Sequence, residues 1–279
     1  MIREASAQGA HLAVLPEYHL TGWDPHSPVF GALALDWKIW IQKYQSLAQE
    51  LHINIVPGTI VQADPTFESQ SDSTGPTSSS SSSSSPNHPL LNVSTFISNQ
   101  GEILGTYTKV NLWHPERAHL TPSSLSTPHT VISTPLGPVG ILICWDLAFP
   151  EAFRALVRQG AKIIIIPTFW TRSDCSAEGL RRNPNSEALF LETALTARAF
   201  ENTCCVVFVN AGGKEEGGPV GLSQVAMPFV GKMQGSFEGK EEGVKVLEVD
   251  MGILEEAEAN YKVREDMGRG DWHYGCSHA

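Results

Sequence analysis

The chain has 279 residues, of which 41% are hydrophobic and 18% charged, with a formal net charge of −11. That length and balance allow a sizeable buried core and exclude a collagen-like or wholly disordered chain. No cluster of Lys or Arg offsets the acidic balance, so the basic face of a nucleic-acid binder is missing and no nucleic-acid partner is expected. The five cysteines, Cys144, Cys175, Cys204, Cys205 and Cys276, match neither a zinc-knuckle nor a disulfide spacing. A reducing, cytoplasmic setting is therefore expected. The longest apolar runs, Lys162 to Pro167 and Cys204 to Val209, are strand-sized, and no secretory signal opens the chain, so no membrane association is expected.

In chain order, Met1 to Gly9 reads as the end of a helix capped by Gly9, and His11 to Leu15 as a strand. Trp37 to Leu51 repeats apolar residues at helical spacing, and Ile53 to Val61 reads as one buried strand. Residues 63–89 are rich in Ser, Pro and Thr, with an unbroken serine run from Ser78 to Ser85. Such a segment buries too little apolar surface to offset its ordering entropy, so a disordered insertion between strands is expected. Leu91 to Ser98 and Glu102 to Tyr107 predict a hairpin around Asn99-Gln100-Gly101. Val131 to Ser133 and Val139 to Ile143 predict a second strand pair, and Glu151 to Gln159 a helix ended by Gly160. Lys162 to Ile166, Cys204 to Val209, Gln224 to Met227 and Val244 to Val249 read as strands, with helices over Glu187 to Asn202 and Leu254 to Tyr261. The pattern is that of one α/β domain, residues 1–279, in which short turns between strands argue against a purely parallel sheet.

Three positions combine a reactive side chain with the end of an apolar strand, where an α/β fold builds its active site. Cys144 follows Val139-Gly-Ile-Leu-Ile and precedes a turn toward a helix, a setting in which the positive helix end favours a thiolate. A free Cys after such a run also reads as a small core residue. Lys109, in Tyr107-Thr-Lys-Val-Asn, leaves a strand into a loop that carries Glu116 and Arg117; the alternative is a solvated strand-end charge beside a surface ion pair. Glu17 follows Leu12-Ala-Val-Leu-Pro, and by itself reads equally as an exposed turn residue. His114, His119 and His129 lack the helical spacing of a zinc site, and His273, Cys276 and His278 lie in a polar tail, so no metal is expected.

Taken together and in order, Leu-Pro-Glu17, Tyr-Thr-Lys109 and Ile-Cys144-Trp-Asp resemble the Glu-Lys-Cys triad of the nitrilase superfamily of carbon–nitrogen hydrolases. Phe149-Pro150-Glu151, Ala197-Arg-Ala-Phe-Glu-Asn202, Gly221-Leu-Ser223 and Tyr261-Lys-Val-Arg264-Glu-Asp266 extend the resemblance from about Gly9 to Asp266. It implies a four-layer α-β-β-α sandwich, and it places a further strand ahead of the segment matched by Met1, so the core sheet is expected to lack its first strand. It also implies Glu17 as general base, Cys144 as nucleophile, and Lys109 with the Trp145 N–H as oxyanion partners, with no metal or organic cofactor. Glu116 is expected to orient Lys109 and contact the substrate, while Asp146, Glu151 and Arg154 brace the turn. Trp113, Trp145, Phe169 and Trp170 are expected around a partly apolar pocket. The implied substrate is a small carboxamide, with a small nitrile or an inactive scaffold role as alternatives, and the implied assembly is a homodimer.

Overall fold

A computed structural model of the chain describes residues 1–64, 89–214 and 217–274. The first half runs α1 (Ile2–Ala7), β1 (Leu12–Val14), α2 (Pro28–Leu35), α3 (Trp37–Leu51), β2 (Asn54–Val56), β3 (Ile60–Ala63), β4 (Leu90–Ile97) and β5 (Ile103–Thr108). The second runs β6 (Ile132–Thr134), β7 (Gly137–Ile141), α4 (Pro150–Arg158), β8 (Ile163–Thr168), α5 (Ala177–Arg182), α6 (Ser186–Asn202), β9 (Cys205–Asn210), β10 (Gln224–Met227), β11 (Gly231–Lys232), α7 (Gly252–Tyr261) and α8 (Val263–Gly268). Of the insertion expected over 63–89, residues 65–88, with the serine run Ser78 to Ser85, lie outside the described residues, and Ala63 is the last residue of β3.

β1 to β5 form one sheet in which β4 pairs β5 on one side and both β2 and β3 on the other. β1 pairs in parallel with β2 and with no other strand among the described residues. The second sheet has the order β11-β10-β9-β8-β7-β6, parallel through β7, β8 and β9 and antiparallel at its flanks. The mixed pairing agrees with the short turns in the sequence.

Side-chain alternation shows how the layers stack, because successive residues of a strand point to opposite faces. Ile55 and Ile97 join Ile2, Ala13, Ala48 and Ile53 in the core beneath α1 and α3. Their chain neighbours Val56 and Phe96 belong instead to the large core that holds Val139, Ile141, Ile163 and Ile165 of the second sheet. That core extends to Phe153 and Leu156 of α4 and to Leu191, Leu195 and Ala199 of α6. The order is helix, sheet, sheet, helix. No helix among the described residues is long and apolar enough to cross a membrane.

Local chemistry accounts for most boundaries. Ser27 caps α2 by accepting the Val29 N–H, with Pro28 at the first helical position. α3 covers the residues its apolar spacing predicts and ends where His52 turns left-handed, at φ 51°. Two expectations are corrected. The strand read over Ile53 to Val61 is two strands, interrupted at Pro57-Gly58-Thr59. Gly58 has a φ of +58°, and a Cβ there would stand 1.8 Å from the Pro16 carbonyl oxygen, so the break lets the chain pass under the segment that carries Glu17. Gly58→Ala is therefore expected to cost about 2–5 kcal/mol, from a left-handed non-glycine backbone and a forced shift of Pro16. Urea unfolding checks this; an unchanged midpoint would show that Pro16 yields freely.

The second correction concerns Val244 to Val249, which forms no ladder among the described residues. Leu247 and Val249 pack on the large core through their side chains, whereas Val246 is 38% exposed. The segment has the residue types of a strand, but no neighbouring strand offers its backbone a partner, and strand preference is realised only through pairing.

Candidate active site

Three strands from the two sheets end side by side, and each delivers one side chain. After β1, the Leu15 N–H donates to Val56 O at 3.0 Å and the Glu17 N–H to Thr168 O, at the end of β8 in the other sheet, at 3.2 Å. After β5, the Lys109 N–H donates to Asn92 O of β4 at 2.9 Å. After β7, the Leu142 N–H donates to Ile165 O at 3.0 Å, and Cys144 opens a 3₁₀ turn, Cys144–Ala148. Cys144 has a φ of 48°, a left-handed backbone of the kind that persists where surrounding structure holds it and that clusters at functional sites. Trp145 is the second residue of this turn, where an N–H has no acceptor inside the helix.

The three side chains meet. Lys109 Nζ donates to Glu17 Oε1 at 2.9 Å and to Glu116 Oε1 at 2.8 Å, and all three groups are buried. Glu17 Oε1 also accepts from Asn92 Nδ2 at 2.8 Å, its Oε2 accepts the Phe169 N–H at 2.8 Å, and the Cys144 thiol lines the same cavity as its carboxyl. Glu116 is fixed in turn by the Trp113 N–H on Oε2 at 2.7 Å and by a short hydrogen bond from the Tyr18 hydroxyl on Oε1. Two carboxylates around one ammonium leave the cluster one negative charge in excess when all three are ionised.

Burial governs the protonation of this cluster. It lifts the Glu17 carboxyl from its ordinary value of 4.5 to about 7, an effect that the Lys109 charge opposes and the Glu116 charge reinforces. Burial also disfavours the Lys109 ammonium, but the charges of Glu17 and Glu116 and their hydrogen bonds to Nζ outweigh it and hold the lysine protonated. The Cys144 thiol is pushed well above its ordinary value by burial and by the Glu17 charge, with Lys109 pulling the other way. The expectation of a thiolate favoured by a helix end is thus corrected. The five-residue turn is too short a dipole to overcome desolvation beside a carboxylate, and the resting group is a thiol.

Glu17, Lys109, Cys144, Glu116, Trp113, Trp145, Phe169 and Trp170 all line one cavity of about 260 Å³. The ring centroids of Trp113 and Trp145 are 4.5 Å apart, and those of Trp145 and Trp170 5.5 Å apart, so the tryptophans form a continuous wall. The cavity holds every residue singled out in the sequence as catalytic or substrate-facing.

The sequence model of the carbon-nitrogen hydrolase family matches residues 1–259. The chain belongs to the carbon-nitrogen hydrolase family. It is 32% identical over 173 residues to a probable nitrilase of Schizosaccharomyces pombe, a match spanning 62% of this chain and 57% of that protein. It is 28% identical over 272 residues to the deaminated glutathione amidase of Bos taurus, spanning 92% of this chain and 71% of the relative. Its fold is similar to that of Saccharomyces cerevisiae Nit3, described as a member of the nitrilase superfamily, with a TM-score of 0.74 and 23% identity over 96% of this chain and 87% of that one.

Around Glu17, Lys109 and Cys144 of this carbon-nitrogen hydrolase, the residues expected to brace the turn divide. Asp146 is fully buried and accepts four hydrogen bonds: from Ile143 N at 2.9 Å, Tyr107 Oη at 2.9 Å, Asn111 N at 3.0 Å and Asn111 Nδ2 at 2.8 Å. Glu151, by contrast, is exposed, and Arg154 reaches Met267 Sδ at 3.5 Å instead of an acid of the turn. Neither braces the Cys144 turn: Glu151 faces solvent and Arg154 faces α8.

Other residues of the hydrolase site went unread in the sequence. Tyr18, Trp23, Thr171, Ser173 and Asp174 also line the cavity. Asn92 bridges Glu17 and the Tyr18 hydroxyl, at 2.8 and 2.9 Å. Its signal was available: an Asn facing inward from a buried strand needs polar partners. Cys204 and Cys205 are sealed in the core, and Cys175 contacts Ser186 Oγ at 3.1 Å. Among the described residues no group of three or more His, Cys, Asp or Glu side chains is placed to hold a metal ion. Of the three tail residues considered for metal binding, Cys276 and His278 lie outside the described residues.

Proposed function

We propose that this carbon–nitrogen hydrolase is an amidase that converts a small carboxamide to an acid and ammonia through a Cys144 thioester. The observation that carries the reading is Lys109 Nζ held between two buried carboxylates in the cavity that the Cys144 thiol also lines. Glu17 takes the thiol proton as the sulfur attacks the carbonyl carbon, and the negative charge that develops on oxygen is met by the Lys109 ammonium and the Trp145 N–H. Collapse of the adduct expels ammonia, which leaves with the proton returned by Glu17. Water, deprotonated by Glu17, then attacks the thioester; the carbon–sulfur bond breaks, the acid departs and the thiol is restored. Glu116 holds Lys109 in line rather than exchanging protons. The bovine relative is named an amidase, which favours this reading; the fission-yeast relative is named a nitrilase, and ammonia release from matched amide and nitrile pairs separates the two.

A base with its pKa near 7 makes the reaction pH-dependent in a fixed direction. The ionised Glu17 is the active form, so kcat/KM is expected to rise as pH passes through about 7 and to fall roughly tenfold per unit below it. The stability linkage runs oppositely. A carboxyl raised on folding contributes stability that is present below about 4.5 and lost as pH rises through about 7, so the active form is the less stable one. A flat profile from pH 5 to 8 would remove Glu17 as the base.

The domain, residues 1–279, is read as one catalytic unit that assembles as a homodimer through the helices outside the second sheet. In support, α6 exposes Leu189 and Phe190, and Phe229, Val230 and Tyr261 are exposed nearby. Light scattering that returns the mass of one chain would refute the dimer. A cysteine nucleophile also accords with a reducing, cytoplasmic setting.

A further inference from the structure

We propose that the acyl pocket accepts carboxamides whose acyl group is apolar or cationic, and that Asp174 turns away substrates bearing a carboxylate. The inference rests on the amidase reading and narrows its substrate class. Among the described residues, the cavity is lined by three acids, Glu17, Glu116 and Asp174, and by one cation, Lys109. That cation is already shared between two carboxylates at 2.9 and 2.8 Å, so it is not free to receive a third. The remaining lining is largely aromatic; the Thr171 and Ser173 hydroxyls in it bond each other at 2.8 Å, and none of it carries a positive charge. A substrate carboxylate in this cavity would lose its water, gain no charged partner and face an excess of negative charge.

Asp174 is the acid that the triad does not use. It is half-buried at the end of a 3₁₀ turn, Arg172–Asp174, and its Oδ2 accepts the Thr171 N–H at 2.7 Å, which fixes the carboxyl in place. Burial raises the Asp174 carboxyl above its ordinary value, the Thr171 hydrogen bonds and the Lys109 charge pull it down, and the charge of Glu187 adds to the rise. Arg172, its neighbour in sequence, is exposed and does not line the cavity. An apolar acyl group would pack against the tryptophan wall, and an ammonium would meet both the ring faces and the Asp174 charge.

The test uses the whole protein and three amides of similar size: isobutyramide, β-alaninamide and succinamate, read by ammonia release. The neutral and cationic amides are expected to exceed succinamate in kcat/KM by about tenfold or more at low salt, with the gap narrowing as salt rises. In Asp174→Asn, which keeps an acceptor for the Thr171 N–H, the gap narrows; in Asp174→Glu it returns. A second readout needs no turnover. Alkylation of Cys144 by iodoacetamide and by iodoacetate, each scaled to Cys175 in the same chain, is expected to disfavour the anionic reagent by a similar factor, and Asp174→Asn to relieve it. Succinamate turned over as fast as isobutyramide, or a gap indifferent to Asp174, overturns the charge selection and leaves the amidase reading standing. No hydrolysis of any amide, with Cys144 inert to both reagents, removes the amidase reading and this inference with it. Charge-selective labelling without turnover upholds the pocket and removes the catalysis.

Discussion

Cys144→Ala is expected to lower ammonia release from small carboxamides by a factor of about 10⁴ or more, because the covalent route closes altogether. The fold should survive. The thiol is a small buried group, and deleting one heavy atom there costs on the order of 1 kcal/mol. Cys144→Ser is the sharper comparison: it keeps the volume but presents a hydroxyl far less acidic than a thiol, and Glu17 with a pKa near 7 is a weak base for it. Serine should therefore lie close to alanine in activity. Turnover in the alanine variant within tenfold of the parent would remove Cys144 from the chemistry.

Lys109→Met is expected to be the most damaging single change to stability. It leaves Glu17 and Glu116 buried and facing each other with no cation between them, and breaking a buried ion pair by removing one partner costs about 3–5 kcal/mol. The sign of its pH dependence follows from the cause. Without the ammonium both carboxyls resist ionisation, so the deficit shrinks when they can be protonated, and the variant should recover part of its stability at pH 5 relative to pH 8. Urea unfolding at the two pH values measures this. A deficit independent of pH would mean that lost packing, rather than stranded charge, is responsible. Activity should be lost at both pH values, since the oxyanion loses its ammonium.

How much of this was legible in the sequence depends on which interaction decided each feature. The strands that end in Glu17, Lys109 and Cys144 announce themselves as apolar runs followed by a polar residue, and β10 and α3 fall where pattern and propensity agree. The break between β2 and β3 is set by the close approach of Gly58 to Pro16, a contact between distant residues that periodicity does not encode. Val244 to Val249 fails as a strand for the same kind of reason, because pairing depends on a partner and not on the segment itself. The site was readable as residue types in order, but not as a network. That Tyr18 and Asn92 support the two glutamates, and that burial beside Glu17 keeps the thiol protonated, follow only from distances across both sheets.

The bonding of Asp146 also sets limits on how the site can move. One carboxylate grips the chain just ahead of Cys144 through Ile143, and the segment just beyond Lys109 through Asn111. The sulfur and the ammonium are thereby mounted on a common rigid block, so their spacing is preorganised before any substrate arrives and little reorganisation is left for the transition state. Tyr18 is tied to the same block through the hydrogen bonds of its hydroxyl with Glu116 and Asn92, so adaptation to substrates of different shape falls to Trp23, which meets Tyr18 through a ring contact with centroids 5.1 Å apart.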